Sequence, residues 1–231
     1  MAKIFYVEDD ANLSFVVKDC LEIAGHSVHH FSKGDEALNA FQKYDYDICI
    51  LDVMLPNLDG YSLIKAIRDK NPNIPVIFVS ARVQIQDKLE GLQLGGDDYI
   101  FKPFSIEELI LKVNIFMKRN KSIFSDSPVA DTRFQFGHFE LDYNNMMLIS
   151  ENDNIRLTGR EADLLIYFFK NKNKLIKRRD ILIAIWGKDD YFLGRSLDVF
   201  ISRLRKFLSS DANVIIENIP RVGFKFKMDD Q

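Results

Sequence analysis

Several side chains capable of phosphoryl chemistry stand at the ends of short apolar runs that are far apart in the chain. Glu8, Asp9 and Asp10 follow Ile4–Val7, Asp52 follows Ile48–Leu51, Ser80 follows Val76–Val79, and Lys102 follows Tyr99–Phe101. If those runs are strands of one open parallel sheet, their carboxyl ends line a common crevice and the groups meet there. Carboxylates gathered at one point repel one another unless a cation joins them. Mg2+ suits such a place, since it takes one or two carboxylates together with waters and phosphate oxygens. A carboxylate is also a nucleophile toward phosphorus, giving an aspartyl phosphate. A metal and an ammonium group would neutralise charge growing on the phosphoryl oxygens, and a serine hydroxyl could hydrogen-bond the new phosphate. Each residue alone has a plainer reading: a solvated acidic loop, a helix-capping serine, a surface lysine before Pro103. The four strand-end matches taken together favour the chemical reading.

The elements needed to hold these groups are visible in the pattern. Ile4–Val7, Val28–Phe31, Ile48–Leu51, Val76–Val79 and Tyr99–Phe101 read as buried strands. Amphipathic stretches such as Leu13–Ala24 and Glu36–Lys43 lie between them, and a last helix over 106–119 begins after Ser105, a good N-cap. Apolar runs alternating with helices specify a doubly wound α/β domain whose parallel sheet is covered on both faces. Residues 120–133, rich in Ser and Asp with one Pro, break the pattern and read as a linker.

Residues 134–231 differ in character. Phe134–Ile149 reads as a pair of short strands turning at Asn144-Asn145, and Ile155–Leu157 as a further strand. Helical segments follow at Arg160–Lys170, Arg178–Trp186 and Arg195–Leu208, then a hairpin from Val214–Ile216 and Phe224–Lys227. Charge divides along the same boundary. The net charge of −3 conceals a first half with 13 basic and 18 acidic residues, whereas Lys170–Lys206 holds 11 basic against 4 acidic. That asymmetry points the second half toward nucleic acid. In Arg195–Leu208 the residues Leu197, Ile201, Leu204 and Leu208 form a stripe to be buried. Arg195, Val199, Ser202, Arg203 and Lys206 fall on the other side, where cations and a small apolar group suit the base edges of the major groove. With a basic hairpin carrying Arg221, Lys225 and Lys227 behind it, the arrangement reads as a winged helix.

Residues 3–119 resemble the receiver domain of response regulators. Tyr6-Val7-Glu8-Asp9-Asp10 is similar to its first-strand acidic motif, and Leu51–Gly60 to its phosphoacceptor motif. Val79-Ser80-Ala81 resembles the switch-hydroxyl motif, and Tyr99–Phe104 the motif of switch aromatic and lysine. The resemblance implies a five-stranded sheet of order 2-1-3-4-5, Asp52 as phosphoacceptor, and Mg2+ held by Glu8, Asp9, Asp52 and the Met54 carbonyl. It implies Ser80, Ala81, Tyr99 and Lys102 as phosphate-binding and switch residues, with a cis Lys102–Pro103 bond and Tyr99 turning inward on phosphorylation. Residues 134–228 resemble the C-terminal domain of the OmpR/PhoB family through Leu157–Leu165, Ile176–Leu182, Trp186-Gly187, Arg195–Lys206 and Val222–Phe226. DNA contacts are then expected from Arg195, Ser196, Val199, Ser202, Arg203, Lys206 and Arg221. Ser202 stands where many members carry a basic residue, and Pro220-Arg221 replaces the commoner Arg-Gly. The family also implies a symmetric homodimer on phosphorylation, with pairs Lys88–Glu108, Asp97–Lys112 and Asp98–Arg119 across it. A sensor histidine kinase and double-stranded DNA are the partners expected, with RNA polymerase a further candidate.

The competing classes are weaker on the residues. A haloacid-dehalogenase-type phosphatase needs a second Asp two positions after the nucleophile, and Met54 stands there, so the chain reads as no enzyme beyond slow self-dephosphorylation. A protein-binding second half is disfavoured by its basic segment. His26, His29, His30 and His138 have no spacing that suits a metal, since His29 and His30 would point to opposite faces of a strand. Cys20 and Cys49 form neither a disulfide framework nor a metal motif. The N-terminus turns acidic too early for a signal peptide, and no apolar run reaches a membrane span. A cytoplasmic location is the expectation.

Overall fold

The computed structural model describes residues 1–82, 84–117, 132–151, 153–187 and 191–228, apart from the side chains of 191–193 and 195. The chain divides into two compact units, Met1–Arg119 and Asn120–Gln231. In the first, β1 (Lys3–Val7), β2 (Ser27–Phe31), β3 (Ile48–Asp52), β4 (Val76–Ser80) and β5 (Asp98–Phe101) form a parallel sheet of order β2-β1-β3-β4-β5. Helices α1 (Ala11–Ile23), α2 (Gly34–Lys43), α3 (Gly60–Lys70), α4 (Ile85–Gln93) and α5 (Ile106–Met117) alternate with the strands.

The period-2 pleat of the strands explains why both faces are apolar. Phe5, Val7, Cys49, Leu51 and Phe78 point to one side, where Ala37 and Phe41 of α2 and Leu63, Ile64 and Ile67 of α3 cover them. Ile4, Tyr6, Ile48, Ile50, Ile77 and Val79 point to the other, against Val17 and Leu21 of α1 and Leu109, Val113 and Phe116 of α5. Asp10 caps α1 by accepting from the amides of Asn12 at 2.9 Å and Leu13 at 3.0 Å. Asp59 caps α3 through Ser62 N at 2.7 Å, and the Ser105 hydroxyl accepts from Glu108 N at 3.3 Å at the start of α5.

The second unit opens with a four-stranded antiparallel sheet, β6 (Arg133–Phe136), β7 (Phe139–Asp142), β8 (Met147–Ile149) and β9 (Asn154–Arg156). Two expectations change here. The span read as a strand pair holds three strands, because Gly137, at φ +56°, turns the chain between Phe136 and Phe139. Arg133, read as linker, is the first residue of β6. Then come α6 (Gly159–Lys170), β10 (Leu175–Lys177), α7 (Arg178–Trp186), α8 (Tyr191–Phe207), β11 (Ile215–Ile219) and β12 (Gly223–Lys227). The sheet β10-β12-β11 closes the unit, with Leu175 opposite Lys225 and Ile219 opposite Gly223. Phe136, Phe168 and Phe226 meet at ring separations of about 6 Å, and Trp186 packs on Phe200 at 5.7 Å. No helix among the described residues is long and apolar enough to cross a membrane.

Candidate functional site

Parallel register carries the strand-end groups to one place. Val7 pairs with Leu51, so Glu8 and Asp52 follow side by side on β1 and β3. Asp52 itself pairs with Val79, and Ser80 with Phe101, which sets Lys102 one residue beyond. The Lys102 ammonium lies 2.7 Å from the Glu8 carboxylate and 2.6 Å from Asp52 Oδ2. Asp52 Oδ1 accepts from Met54 N at 2.8 Å, and the Met54 side chain is half exposed. Glu8 is fully buried and Asp52 nearly so, while Asp9 is exposed. Gly60, at the N-terminus of α3, is required for this packing: a Cβ there would stand 2.1 Å from the Asp52 carbonyl oxygen. The Lys102–Pro103 bond is cis.

Electrostatics follow from that burial. Desolvation pushes the Glu8 carboxyl above the ordinary range, against the hydrogen bond from Lys102. Burial pulls the Lys102 ammonium down, but its bonds to Asp52 and Glu8 outweigh this and hold it above its usual value. Asp10, one residue on, is held low by the amides it caps. Ligand oxygens of Glu8, Asp9 and Asp52 all lie within 4.8 Å of one another, and among the described residues they are the one such group of three or more potential metal ligands. Three carboxylates facing one ammonium leave an excess of negative charge. Hard oxygen donors with one solvent-facing member fit Mg2+, which keeps waters in its shell.

Ser80 is fully buried, and its Oγ accepts from Arg82 N at 3.1 Å; Ala81 follows it at the surface. Tyr99 stands inward, 4% exposed, its ring 6.1 Å from Phe78 and 5.1 Å from Phe101. Its hydroxyl donates to the Arg82 carbonyl at 3.3 Å.

The second candidate surface is α8 with the β11–β12 hairpin. Leu197, Ile201, Leu204 and Leu208 are buried, as are Phe200 and Ser196. Asp198, Ser202, Arg205 and Lys206 are exposed. Three residues expected to contact DNA, Val199 and Arg203 from the helix face and Ser196 from the resemblance, stand elsewhere. Ser196 is 1% and Val199 8% exposed, and the Arg203 guanidinium sits 2.7 Å from Glu161, which is fully buried in α6. Glu161 also accepts from Thr158 N at 2.6 Å, so one carboxylate caps α6 and holds α8. Arg205, about 200° around the helix from Arg203, is exposed, and its Nε donates to the Ile216 carbonyl at 2.9 Å. The Arg195 side chain lies outside the described residues. Arg178, not anticipated as a functional residue, donates to Asp198 and to the Gly194 carbonyl at 2.8 Å each and lies over the Phe224 ring at 5.3 Å. It joins α7, α8 and the hairpin, which the basic run around it concealed.

At the hairpin tip, Val222 N donates to Ile219 O at 3.1 Å around Pro220 and Arg221, and Arg221 has φ +66°. Proline second and positive φ third is the pattern of a type II turn, whose third residue is usually glycine. The departure seen in the sequence therefore puts an exposed cation where the backbone favours glycine.

Residues 4–114 match the response regulator receiver domain, and residues 152–226 match the C-terminal domain of transcriptional regulatory proteins. The chain is 35% identical over 223 residues to the transcriptional regulatory protein RprY of Bacteroides fragilis, covering 96% of this chain and 93% of that protein. The chain belongs to the OmpR/PhoB family of response regulators. SrrA of Staphylococcus aureus, also a transcriptional regulatory protein, is 32% identical over 231 residues, covering 98% of this chain and 95% of that one. Among solved structures, the OmpR/PhoB homologue DrrB of Thermotoga maritima aligns over 98% of this chain and 99% of its own at 29% identity, with a TM-score of 0.53. This OmpR/PhoB-family chain is thus a transcriptional regulator with a receiver and a winged-helix DNA-binding domain.

Residues of the expected dimer face have partners within the chain. Asp97 Oδ2 accepts from Val76 N and from Arg68 Nη2 at 2.9 Å each, both within the chain. Lys112 pairs with Asp98, not Asp97, at 2.5 Å. Adjacent strand residues point to opposite faces, so only one of the two aspartates can look toward α5. Lys88 is 3% exposed, its ammonium 5.9 Å from the Phe101 ring, and Glu108 lies in the first turn of α5. Arg119 and residues 120–131 lie outside the described residues.

Proposed function

We propose that this regulator accepts a phosphoryl group on Asp52 from a phosphohistidine of a sensor kinase and, so modified, dimerises and binds promoter DNA. The observation that carries the reading is Lys102 bridging Glu8 and Asp52 at 2.7 and 2.6 Å. It sets an ammonium beside a nearly buried nucleophile at the end of a strand. In the transfer, a bond forms between an Asp52 oxygen and phosphorus as the phosphorus–nitrogen bond breaks, and the imidazole nitrogen keeps the electron pair and takes a proton. Glu8, Asp9, Asp52 and the Met54 carbonyl would hold Mg2+, which supplies positive charge for the phosphoryl oxygens. Lys102 would turn from Asp52 toward a phosphoryl oxygen, and the Ser80 hydroxyl would hydrogen-bond another. Met54 offers no proton acceptor, so hydrolysis would be limited to slow loss of the chain's own phosphoryl group.

On the DNA side, α8 would enter the major groove with Ser202, Arg205 and Lys206 outward and Arg195 as a further contact expected from the sequence, and Arg221 would reach the minor groove or the backbone. Dimerisation would use α4, β5 and α5. The test treats wild type and Asp52→Asn with acetyl phosphate and Mg2+. Intact mass reads phosphoryl uptake, sedimentation reads dimerisation, and selection from random duplexes reads DNA binding. Uptake, dimerisation and tighter DNA binding confined to wild type are expected. Equal labelling and equal binding by both variants would remove Asp52 from control.

A further inference from the structure

The loop between β3 and α3, residues 53–59, carries the Met54 carbonyl. Its two ends are fixed: Asp52 Oδ1 accepts from Met54 N at 2.8 Å, Gly60 N donates to Val53 O at 3.0 Å, and Asp59 caps α3. Between them the chain turns sharply. Leu58 N donates to Pro56 O at 2.9 Å around Asn57, which has φ +68°. A bond from residue i+2 back to residue i about a positive φ is the rare, strained form of the γ-turn, and such a turn persists only where its surroundings impose it.

The surroundings here are the first two residues of α2. Gly34 N donates to Pro56 O at 3.4 Å, so the loop supplies a partner for an amide that a helix leaves open at its start; the N-cap Lys33 makes no side-chain capping bond. Asp35 Oδ2 accepts from Asn57 Nδ2 at 3.1 Å. Gly34 is buried, and the loop backbone lies against it so closely that a Cβ there would overlap the Leu58 carbonyl oxygen. Leu55 and Leu58 pack on the core cluster that contains Ala37 and Phe41 of α2.

We propose that Gly34 and Asp35 are positioning residues for the metal: they hold the strained turn at 56–58 and thereby set where the Met54 carbonyl stands relative to Glu8, Asp9 and Asp52. The proposal rests on the Mg2+ binding proposed above. Strand register and Lys102 fix the Glu8 and Asp52 carboxylates. The Met54 carbonyl belongs to a loop outside the sheet, and a main-chain ligand has no rotamer with which to adjust, so it goes where the loop goes. Mg2+ tolerates little departure from octahedral geometry, and a shifted carbonyl therefore costs affinity. Groups that orient a ligand without touching the metal are worth about 10–100-fold in metal affinity.

The experiment titrates the full chain with Mg2+ alone and reads the dissociation constant from receiver amide shifts, in wild type, Gly34→Ala, Asp35→Ala and Asp35→Asn. Both Asp35 variants lose the charge, but only Asn keeps an acceptor for Asn57. Melting in chelator reports whether each variant is folded, and uptake from acetyl phosphate is followed across Mg2+ concentrations. Gly34→Ala is expected to raise the dissociation constant about tenfold and to slow uptake in a way that saturating Mg2+ restores. Asp35→Ala is expected to bind about twofold more weakly than Asp35→Asn. A folded Gly34→Ala with wild-type Mg2+ affinity overturns the proposal even if it melts lower, since that marks packing alone. Equal constants for the two Asp35 variants remove Asp35 from it, and overturn it outright where Gly34→Ala does not fold. A wild type that binds no Mg2+ overturns it as well. A wild type that binds Mg2+ yet takes up no phosphoryl group, with Gly34→Ala still weaker, keeps the positioning role and removes the proposed phosphorylation.

Discussion

Replacing Arg203 with methionine removes a guanidinium while keeping an unbranched apolar stem, and it separates two incompatible roles for that residue. In the structure Glu161 is fully buried, with one oxygen on Thr158 N at 2.6 Å and the other 2.7 Å from Arg203. Removing one partner of a buried pair costs about 3–5 kcal/mol, because the other charge is left uncompensated. The Arg203 side chain keeps 23% of its exposure, so water reaches part of the pair, and the low end of that range, about 3 kcal/mol, is expected. In a domain of this size each kcal/mol moves the melting temperature by about 4–8 °C, so the second unit should melt on the order of 10–20 °C lower. Trp186, the only tryptophan and 3% exposed in that unit, reports the transition by fluorescence. The double variant Glu161→Gln with Arg203→Met removes both charges of this pair and should recover most of the loss. A base-contacting Arg203 predicts the reverse: unchanged melting and DNA affinity lower by about 1–3 kcal/mol at one position of the site. Measuring duplex binding by anisotropy at a temperature where every variant is folded completes the comparison. Wild-type melting with weakened binding would refute the structural role.

Three further outcomes are expected. Arg221→Gly relieves a left-handed residue at φ +66° and should leave the second unit equally stable or up to about 1 kcal/mol more so, while lowering the slope of log affinity against log salt by about one; an unchanged slope would place Arg221 away from DNA. Burial raises the Glu8 carboxyl, so its contribution to stability is fully present below the ordinary carboxylate pKa and is lost as pH rises through the raised value. Glu8→Gln should therefore stabilise the receiver against urea at neutral pH in the presence of chelator, with the gain vanishing below about pH 4, and should weaken stabilisation by added Mg2+; a gain that grows on acidification contradicts the assignment. Gly60→Ala should destabilise the receiver by about 1–3 kcal/mol and slow labelling of Asp52, because the new Cβ meets the Asp52 carbonyl at 2.1 Å; denaturant titration and phosphorylation time courses check both.

The receiver was readable from its sequence because its signals are redundant. Strands such as Ile48–Asp52 are buried on both faces, so they appear as unbroken apolar runs whose ends are sharply marked by a polar residue. Once the strands are parallel and in register, the residues after them must be neighbours. Glu8, Asp52, Ser80 and Lys102 follow from that one constraint. The second unit offers shorter signals. β10 has three residues and exists through its pairing with β12, a non-local fact. The turn at Gly137 divides a run too short to show two alternations.

The residues whose partners the sequence did not reveal share a cause. Sequence periodicity says which residues lie on a stripe, but not how wide an arc the neighbours bury or which of two adjacent like residues faces them. Asp97 and Asp98 are chemically identical neighbours, and the pleat alone decides that Asp98 meets Lys112 while Asp97 turns to Arg68 and Val76. On α8 the apolar residues define the centre of the buried arc, and its edge is set by Glu161, a charge on another helix that draws Arg203 inward. A basic residue near the edge of a recognition helix is therefore ambiguous until the acidic residues of the packed helices are located. That test also makes Arg178 intelligible: its partners Asp198, Gly194 and Phe224 lie 16 to 46 positions away in sequence, and together they hold α8 against the β11–β12 hairpin.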